Sequence, residues 1–390
     1  MQILQLLWVL GLAAFSGALA IRASDPVVPL IARDFSVSLT AAALISSAYS
    51  LPYALGQPIL GPIGDAIGKT TVMRACLAVA ALAMGAAMIA PTYEMLFAAR
   101  MVAGVAGGGV IPVALAIVGD RYQLEDRQVA IARVLFAAVT GQLLGSVGSG
   151  LIGERFGWRG SFFAAFLVSV FAALVAFVTL RPKPGAIRKK VTVAAAMAGY
   201  RQVFANPLAL VCYSTVFVEG VVIYGIFPHL AGVFETRGVG GVREAGFTVG
   251  AFGLGGILMT MTVRMMLRHL GMYPMMRLGG LLCGGAFAIV ALTHSWQATV
   301  AAFVALGLGF YMIHNSLQTL ATELAPTARG SAVSLHAFFF FVGIALGPPV
   351  IGLGLHTIGD TATILTEAVC AALLGVVATY FLTLRAQARA

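Results

Sequence analysis

Gly61-Pro62-Ile63-Gly64-Asp65-Ala66-Ile67-Gly68-Lys69 decides how this chain is read. The stretch lies between two long apolar segments. It gathers glycines, one acid and one base into a short loop, which membrane anchoring alone does not require. An acid near a helix N-terminus is favoured by the helix dipole, so Asp65 suits this loop. The plain alternative is a turn with a helix cap.

Working outward, the flanking segments read as membrane spans. Hydrophobic residues make up 60% of the 390, charged residues 10%, and mean hydropathy is +0.97. A soluble domain carries about 25% charged residues. A spanning helix needs about 20 mostly apolar residues. Such windows fall at 4–31, 40–60, 72–90, 96–119, 129–152, 161–180, 207–231, 245–263, 273–293, 297–321, 331–355 and 362–384. The fold expected is an all-α membrane protein with 12 transmembrane helices. The first window is too long for a secretory signal and lacks its basic start, so it is read as a retained helix.

A net charge of +10 invites a nucleic-acid reading, and its distribution argues against one. Most basic residues fall in loops on one side, from Lys69, Arg74, Arg121, Arg127 and Arg133 through the cluster at 181–190 to Arg385 and Arg389. The opposite side holds Arg33, Arg155, Arg159, Arg237 and Arg243. This is the positive-inside pattern and places both termini in the cytoplasm. Anionic lipid is then the partner of the basic side, and no nucleic acid is. Cys76, Cys212, Cys283 and Cys370 fall in separate windows with no C-x-x-C pair. They read as small core residues, with neither a disulfide nor a metal site.

The longest polar stretch runs from Arg181 through Arg188-Lys189-Lys190 to about Asn206 and divides the windows six and six. The domains expected are an N-terminal six-helix bundle over 1–180, a cytoplasmic linker over 181–206 and a C-terminal bundle over 207–390. The halves echo each other about 200 residues apart, as parallel repeats do. Pro29-Leu30-Ile31-Ala32 with Phe35 is answered by Pro228-His229-Leu230-Ala231 with Phe234. Gly104 is answered by Gly307, Gly141-x-x-x-Gly145 by Gly343-x-x-x-Gly347, and Gly68 with Arg74 by Gly271 with Arg277. Two pseudo-symmetric bundles of this kind place a substrate site between the halves near the bilayer midplane. Asp65 is set against Arg268, so the acidic loop belongs to the first half only.

Two more signatures lie in the first half. Arg100 precedes Gly104 and Gly107-Gly108 in the fourth window. An intramembrane arginine faces a cavity or a partner, or snorkels to a nearby interface. Gly141-x-x-x-Gly145-Ser146 with Ser149-Gly150 lies in the fifth window, and small residues at that spacing let two helices approach closely. Together with the loop at Gly61–Lys69, these resemble the major facilitator superfamily along the whole chain. Within it they are most similar to bacterial twelve-span drug/proton antiporters, a resemblance that implies a bacterial inner membrane. The resemblance implies conformational gating by Gly61, Asp65, Gly68 and Lys69, whose acid and base tie helix ends together in one access state. It implies the same of Gly141 and Gly145, on a helix that keeps exporters leak-tight. The chain departs from the pattern in four places. Ala66 stands for an arginine, Thr70 for a second base, Ser146 for a proline and Ser149 for a glycine. The gating network is then weaker, or is completed by Arg127 or Arg133.

Glu219 stands in mid-window, in Phe217-Val218-Glu219-Gly220-Val221, with no base within a helical turn. A carboxylate there is expensive unless neutralised. It is the first candidate for proton coupling, set against a structural hydrogen bond to a neighbouring helix. Asp25 is the second. Its run, Ser24-Asp25-Pro26-Val27-Val28-Pro29, resembles the acid-then-proline pattern in helix one of the same antiporters. Arg22 lies one turn away on the same face, which makes the couple tolerable in a cavity and weakens Asp25 as a proton carrier. In the tenth window Tyr311, Asn315 and Gln318 share a face, with His314 beside it; the eleventh adds His336 and Phe338-Phe339-Phe340-Phe341. Polar faces of membrane helices point inward. The cavity residues expected are therefore Arg22, Tyr53, Gln57, Arg100, Gln142, Tyr224, Tyr311, His314, Asn315, Gln318 and His336. A histidine here titrates near neutral pH or simply bonds one helix to the next.

No G-x-S-x-G, H-E-x-x-H or phosphate loop occurs, and Gly107-Gly108-Gly109 lies mid-helix without an adjacent lysine. No catalytic residue, metal or cofactor is expected, and energy is expected from an ion gradient or from the solute's own. The resemblance implies a monomeric secondary active transporter that exports a small, partly hydrophobic compound in exchange for protons. The alternative is an importer or facilitator of a small metabolite such as an organic anion. A sensor or assembly factor that moves nothing is the rival from another class.

Overall fold

The computed structural model describes residues 2–181 and 193–387; the side chains of residues 2–4, 61–62, 65–66, 124–125, 193–196 and 385–387 lie outside that description. Lys183, Arg188, Lys189, Lys190 and Arg389, and the side chain of Asp65, are therefore outside it, as is anything at Gly61 beyond its backbone. Every regular element among the described residues is helical.

The chain divides into two compact units, Met1–Thr192 and Val193–Ala390. In the first, α1 (Gln2–Arg22) gives way to a 3-10 turn (Asp25–Val27) and resumes as α2 (Val28–Phe35). Then come α3 (Leu39–Ile67), α4 (Lys69–Met88), α5 (Tyr93–Arg121) and α6 (Leu124–Thr179). In the second, α7 (Val193–Phe204) precedes α8 (Pro207–Tyr224), a 3-10 turn (Phe227–His229) and α9 (Leu230–Arg237). Then come α10 (Val242–His269), α11 (Met272–Leu292), α12 (Trp296–Leu324), α13 (Arg329–Thr357) and α14 (Asp360–Gln387). In each unit the first long apolar helix, α1 in one and α8 in the other, is interrupted by a 3-10 turn. Pro26 and Pro29 in one, and Pro228 in the other, have no N–H to continue the helical ladder.

A straight helix as long as α6, at 56 residues, would run about 84 Å, far beyond one bilayer crossing. It reverses at Gly157, where φ 72° and ψ 176° leave the helical region and a β-carbon would be strained. Ser161 Oγ donates to Ser149 O at 3.0 Å, a pair that a continuous helix would hold about 18 Å apart. Ten helical stretches among the described residues are long and apolar enough to cross a membrane, with both arms of α6 falling in one of them. Helix α3, which carries Ser46, Ser47, Ser50 and Gln57, is not among the ten.

Close helix contacts repeat between the units. A β-carbon on Gly141 would come within 2.3 Å of Phe15 O, and one on Gly145 within 2.7 Å of Leu19 O, so α6 lies directly against α1. The same holds for Gly343 against Phe217 O and Gly347 against Gly225, which join α13 to α8. The stretch 181–206, read as linker, contains α7. Its Gly199 packs on Ser331, and Asn206 ties its far end to α12 by donating from Nδ2 to Leu324 O at 2.9 Å. Asn206 Oδ1 also caps α8 by accepting from Leu208 N. One cysteine departs from the core reading: Cys76, Cys212 and Cys283 are buried, whereas Cys370 is exposed on the outer face of α14.

Candidate functional site

In the first unit the break between α1 and α2 gathers a buried polar cluster. Asp25 Oδ2 accepts from Arg22 Nη1 at 3.0 Å and Oδ1 accepts from Ser46 Oγ at 2.6 Å. Arg22 Nε donates to Gln142 Oε1 at 3.3 Å, and Ser24 Oγ lies 3.2 Å from Ser46 Oγ. Ser149 Oγ donates to Ala23 O at 2.6 Å. The serine standing where the signature has glycine thus serves a carbonyl freed by the break. Asp25 is consequently satisfied at both oxygens, beside a charge of opposite sign.

Arg100 neither snorkels nor lines an open wall, and it has no exposed surface. It donates to Ala20 O at 2.7 Å, Ile21 O at 3.3 Å, Ile45 O at 3.4 Å and Ser24 Oγ at 3.2 Å, and lies over the Tyr49 ring at 4.4 Å. It caps the carbonyls at the end of α1 that the following turn leaves without helical donors. Tyr53 and Gln57 are buried in the same unit, with Tyr53 stacked on Tyr49.

The second unit brings together residues far apart in the chain. Glu219, on α8, is fully buried, and its Oε2 lies 2.8 Å from Nδ1 of His314 on α12. Its Oε1 has no hydrogen-bond partner among the described residues. His314 touches His336 of α13 (ring centroids 5.0 Å apart), and His336 Nε2 is buried and likewise unpartnered. Phe310 and Phe340 pack on His314 at 4.9 and 4.4 Å, and Tyr224 sits edge-on to both. The pair tolerates either state of the acid: an ionised Glu219 accepts from a His314 N–H, and a protonated one donates O–H to a bare ring nitrogen. Tyr311 and Asn315 are half-buried beside His314, and Gln318 is exposed one turn further on. His336 is buried behind His314, and of the phenylalanine run only Phe340 is buried.

Two further sets of contacts lie at the helix ends. Gly68 turns the chain between α3 and α4 at φ 104°, where only glycine is unstrained. Lys69 Nζ pairs with Asp120 Oδ2 at 2.7 Å, near the end of α5, and Arg127 Nη2 donates to Gly119 O at 2.7 Å. At the opposite end of the unit Asp34 Oδ2 accepts from Arg159 Nη1 at 2.6 Å and from Trp158 Nε1 at 3.0 Å, while Arg159 Nη2 donates to Ala90 O. The second unit builds the same clasp with the signs exchanged. Arg237 Nε donates to Asp360 Oδ2 at 2.6 Å, and its remaining donors reach Val290 O and Ala291 O at the end of α11.

The sequence reading missed Asp120, Ser46 and the Asp34 and Arg237 clasps. Each is an ordinary polar residue near a helix end or on a mixed face, and only its partner distinguishes it. It also missed Glu367, an acid within an apolar window and therefore visible by the same test that picked out Glu219. Among the described residues no group of three or more His, Cys, Asp and Glu side chains is placed to hold a metal ion.

These features agree with what comparison to known proteins finds. The family model for the Major Facilitator Superfamily matches residues 10–348 and again 245–390, and the chain belongs to that family. Multidrug resistance protein 1 of Bacillus subtilis is 23% identical over 343 residues, covering 87% of each chain. The bacillibactin exporter of the same organism is 24% identical, covering 83% of each. The niacin transporter NiaP of Acinetobacter baylyi is 28% identical over 182 residues, 47% of this chain and 40% of that one. Among solved structures, a bacterial homologue of the human lysosomal transporter Spinster, inward-facing and unoccupied, superposes with a TM-score of 0.70 at 18% identity. It covers 98% of this chain and 96% of its own. The protein is a membrane transporter of small molecules, and members of its family are not enzymes.

Proposed function

We propose that the protein exports a small, partly hydrophobic compound in exchange for protons, by alternating access. The observation that carries this is the Glu219–His314 pair. A carboxyl group with no exposed surface has one oxygen on an imidazole and the other unpartnered, within a box of aromatic rings. An ionised acid so placed is costly without a cation. An imidazole that can switch from donor to acceptor lets a proton arrive and leave with little rearrangement. Asp25, with Arg22 and Ser46 on its two oxygens, is the weaker carrier, and its cluster suits substrate recognition.

The rest of the reading follows from this. The chain crosses a bacterial inner membrane twelve times, counting α3 once and α6 twice, as two six-helix bundles in a monomer. Both termini lie in the cytoplasm, and the basic side meets anionic lipid. Lys69 and the loop before it, with Gly141 and Gly145, set the balance between access states. Tyr311, His314, Asn315 and Gln318 face the substrate, with Tyr224 and His336 packed behind them. Import or facilitated passage of a metabolite such as an organic anion is the second reading. It is favoured by Ser146 and Ser149 in the exporter signature and by a niacin transporter among the relatives.

The test uses liposomes holding the purified protein with an acidic interior. Lipophilic cations, neutral drugs and organic anions are screened for substrate-dependent proton release, with Glu219→Gln alongside. The expected outcome is release by wild type that the variant loses. A variant that still pumps uphill with unchanged pH dependence would overturn the role of Glu219. Solute flux without proton movement would favour the second reading.

A further inference from the structure

The observation is Glu367, one and a half to two turns into α14 and only 2% exposed. Neither carboxyl oxygen has a hydrogen-bond partner among the described residues, and neither reaches solvent. The helix around it is held closely. A β-carbon on Gly284 of α11 would come within 2.7 Å of Ala368 O, one on Gly280 within 3.0 Å of Ala371 O, and one on Gly354 of α13 within 2.8 Å of Thr363. Ile364 and Ala371, on the same face, are completely buried.

The elements packed on α14 are α8, α11 and α13, and their ionisable groups are engaged elsewhere. On α8, Cys212 and Tyr213 donate to Leu317 O and Ala332 O, Glu219 meets His314, and Tyr224 lies in the aromatic box. On α11, Cys283 donates to Leu306 O, Arg277 donates to Thr379 Oγ1 three turns further along α14, and Tyr273 packs at the edge of the core. On α13, His336 faces His314, Arg329 pairs with Glu323, and His356 is exposed. On α14 itself Asp360 is taken by Arg237. With no counter-charge and no donor among the described residues, an ionised Glu367 is costly in this arrangement. A buried acid that makes no bond contributes nothing to this arrangement that leucine would not.

We infer that Glu367 is a second proton-binding site of the transporter, loaded in the arrangement described here and emptied in another access state. This rests on the proton-coupled reading and extends it. Two acids, Glu219 and Glu367, sit on two helices packed against each other, so two protons are available to one transport cycle.

Infrared difference spectroscopy of the full chain in a lipid film, between acid and alkaline buffer, needs no substrate. Wild type should show two protonated-carboxyl bands that disappear in alkali and shift in heavy water. Glu367→Gln should lose one band and Glu219→Gln the other. Glu367→Leu, which fills the site with an apolar side chain, must show the same loss as Glu367→Gln and covers the case in which the amide does not fold. A Glu367→Gln or Glu367→Leu spectrum identical to wild type would overturn the inference, as would a band that never responds to pH or heavy water. A loss confined to Glu367 variants, with Glu219→Gln unchanged, would leave this inference standing and remove Glu219 as coupling residue.

Discussion

A guanidinium inside a membrane helix bundle is tolerable when its donors are filled, and Arg100 fills them with three backbone carbonyls and a hydroxyl. Its two partners on α1, Ala20 O and Ile21 O, are free because α1 stops just before Pro26 and Pro29. Arg100→Met keeps most of the volume and removes every donor, leaving buried carbonyls unserved at about 1–3 kcal/mol each. The purified variant should unfold several degrees below wild type. Arg100→Lys should fall between the two, since one ammonium cannot span the same carbonyls. Equal thermal stability of Arg100→Met and wild type would contradict the capping role. The sequence marked Arg100 as an unusual intramembrane charge but not as a cap, because the carbonyls it serves lie 55 to 80 positions away. Glu219 was legible for the same reason, and His314 as its partner was not: nothing local relates residues 95 apart on different helices.

At the scale of elements, each unit clips its first helix to its last and to its third at one end. In the first, Arg159 joins Asp34 and the end of α4; in the second, Arg237 joins Asp360 and the end of α11. The energies should differ. Arg159 and Asp34 are 43% and 42% exposed, and such a pair contributes about 0.2–1 kcal/mol. The Arg237 side chain is 9% exposed and also fills three carbonyls. Arg237→Ala should therefore lower the unfolding temperature clearly more than Arg159→Ala. Exchanging the charges, Asp34→Arg with Arg159→Asp, should recover part of what either single change loses, because the second unit already uses the opposite polarity. A double variant no better than the worse single one would argue against a clasp. The 200-residue echo predicted paired halves, yet it carried no sign of the clasps, since reversed charges do not align as identical residues.

For the molecule as a whole, the orientation proposed from charge placement is testable without a substrate. Cys370 is the exposed native cysteine, so Cys370→Ser gives a quiet background. Pro91 and Gln123 are exposed at opposite ends of α5. Pro91→Cys should react with an impermeant maleimide in intact cells, and Gln123→Cys only after the membrane is opened; the reverse result would invert the topology. Composition and hydropathy by themselves determined that the chain is helical and membrane-spanning, because a bilayer leaves backbone groups no partners outside a helix. Three short signatures, the Gly61–Lys69 loop, Arg100 with its following glycines and Gly141-x-x-x-Gly145, carried the resemblance to the family that the family model then matched. Four things were decided by tertiary structure alone: that Arg100 caps α1, that His314 serves Glu219, that α7 occupies part of the expected linker, and that Glu367 lies sealed without a partner. Hydropathy and periodicity are properties of neighbours along the chain, whereas the environment of a buried charge is set by helices that meet only after packing.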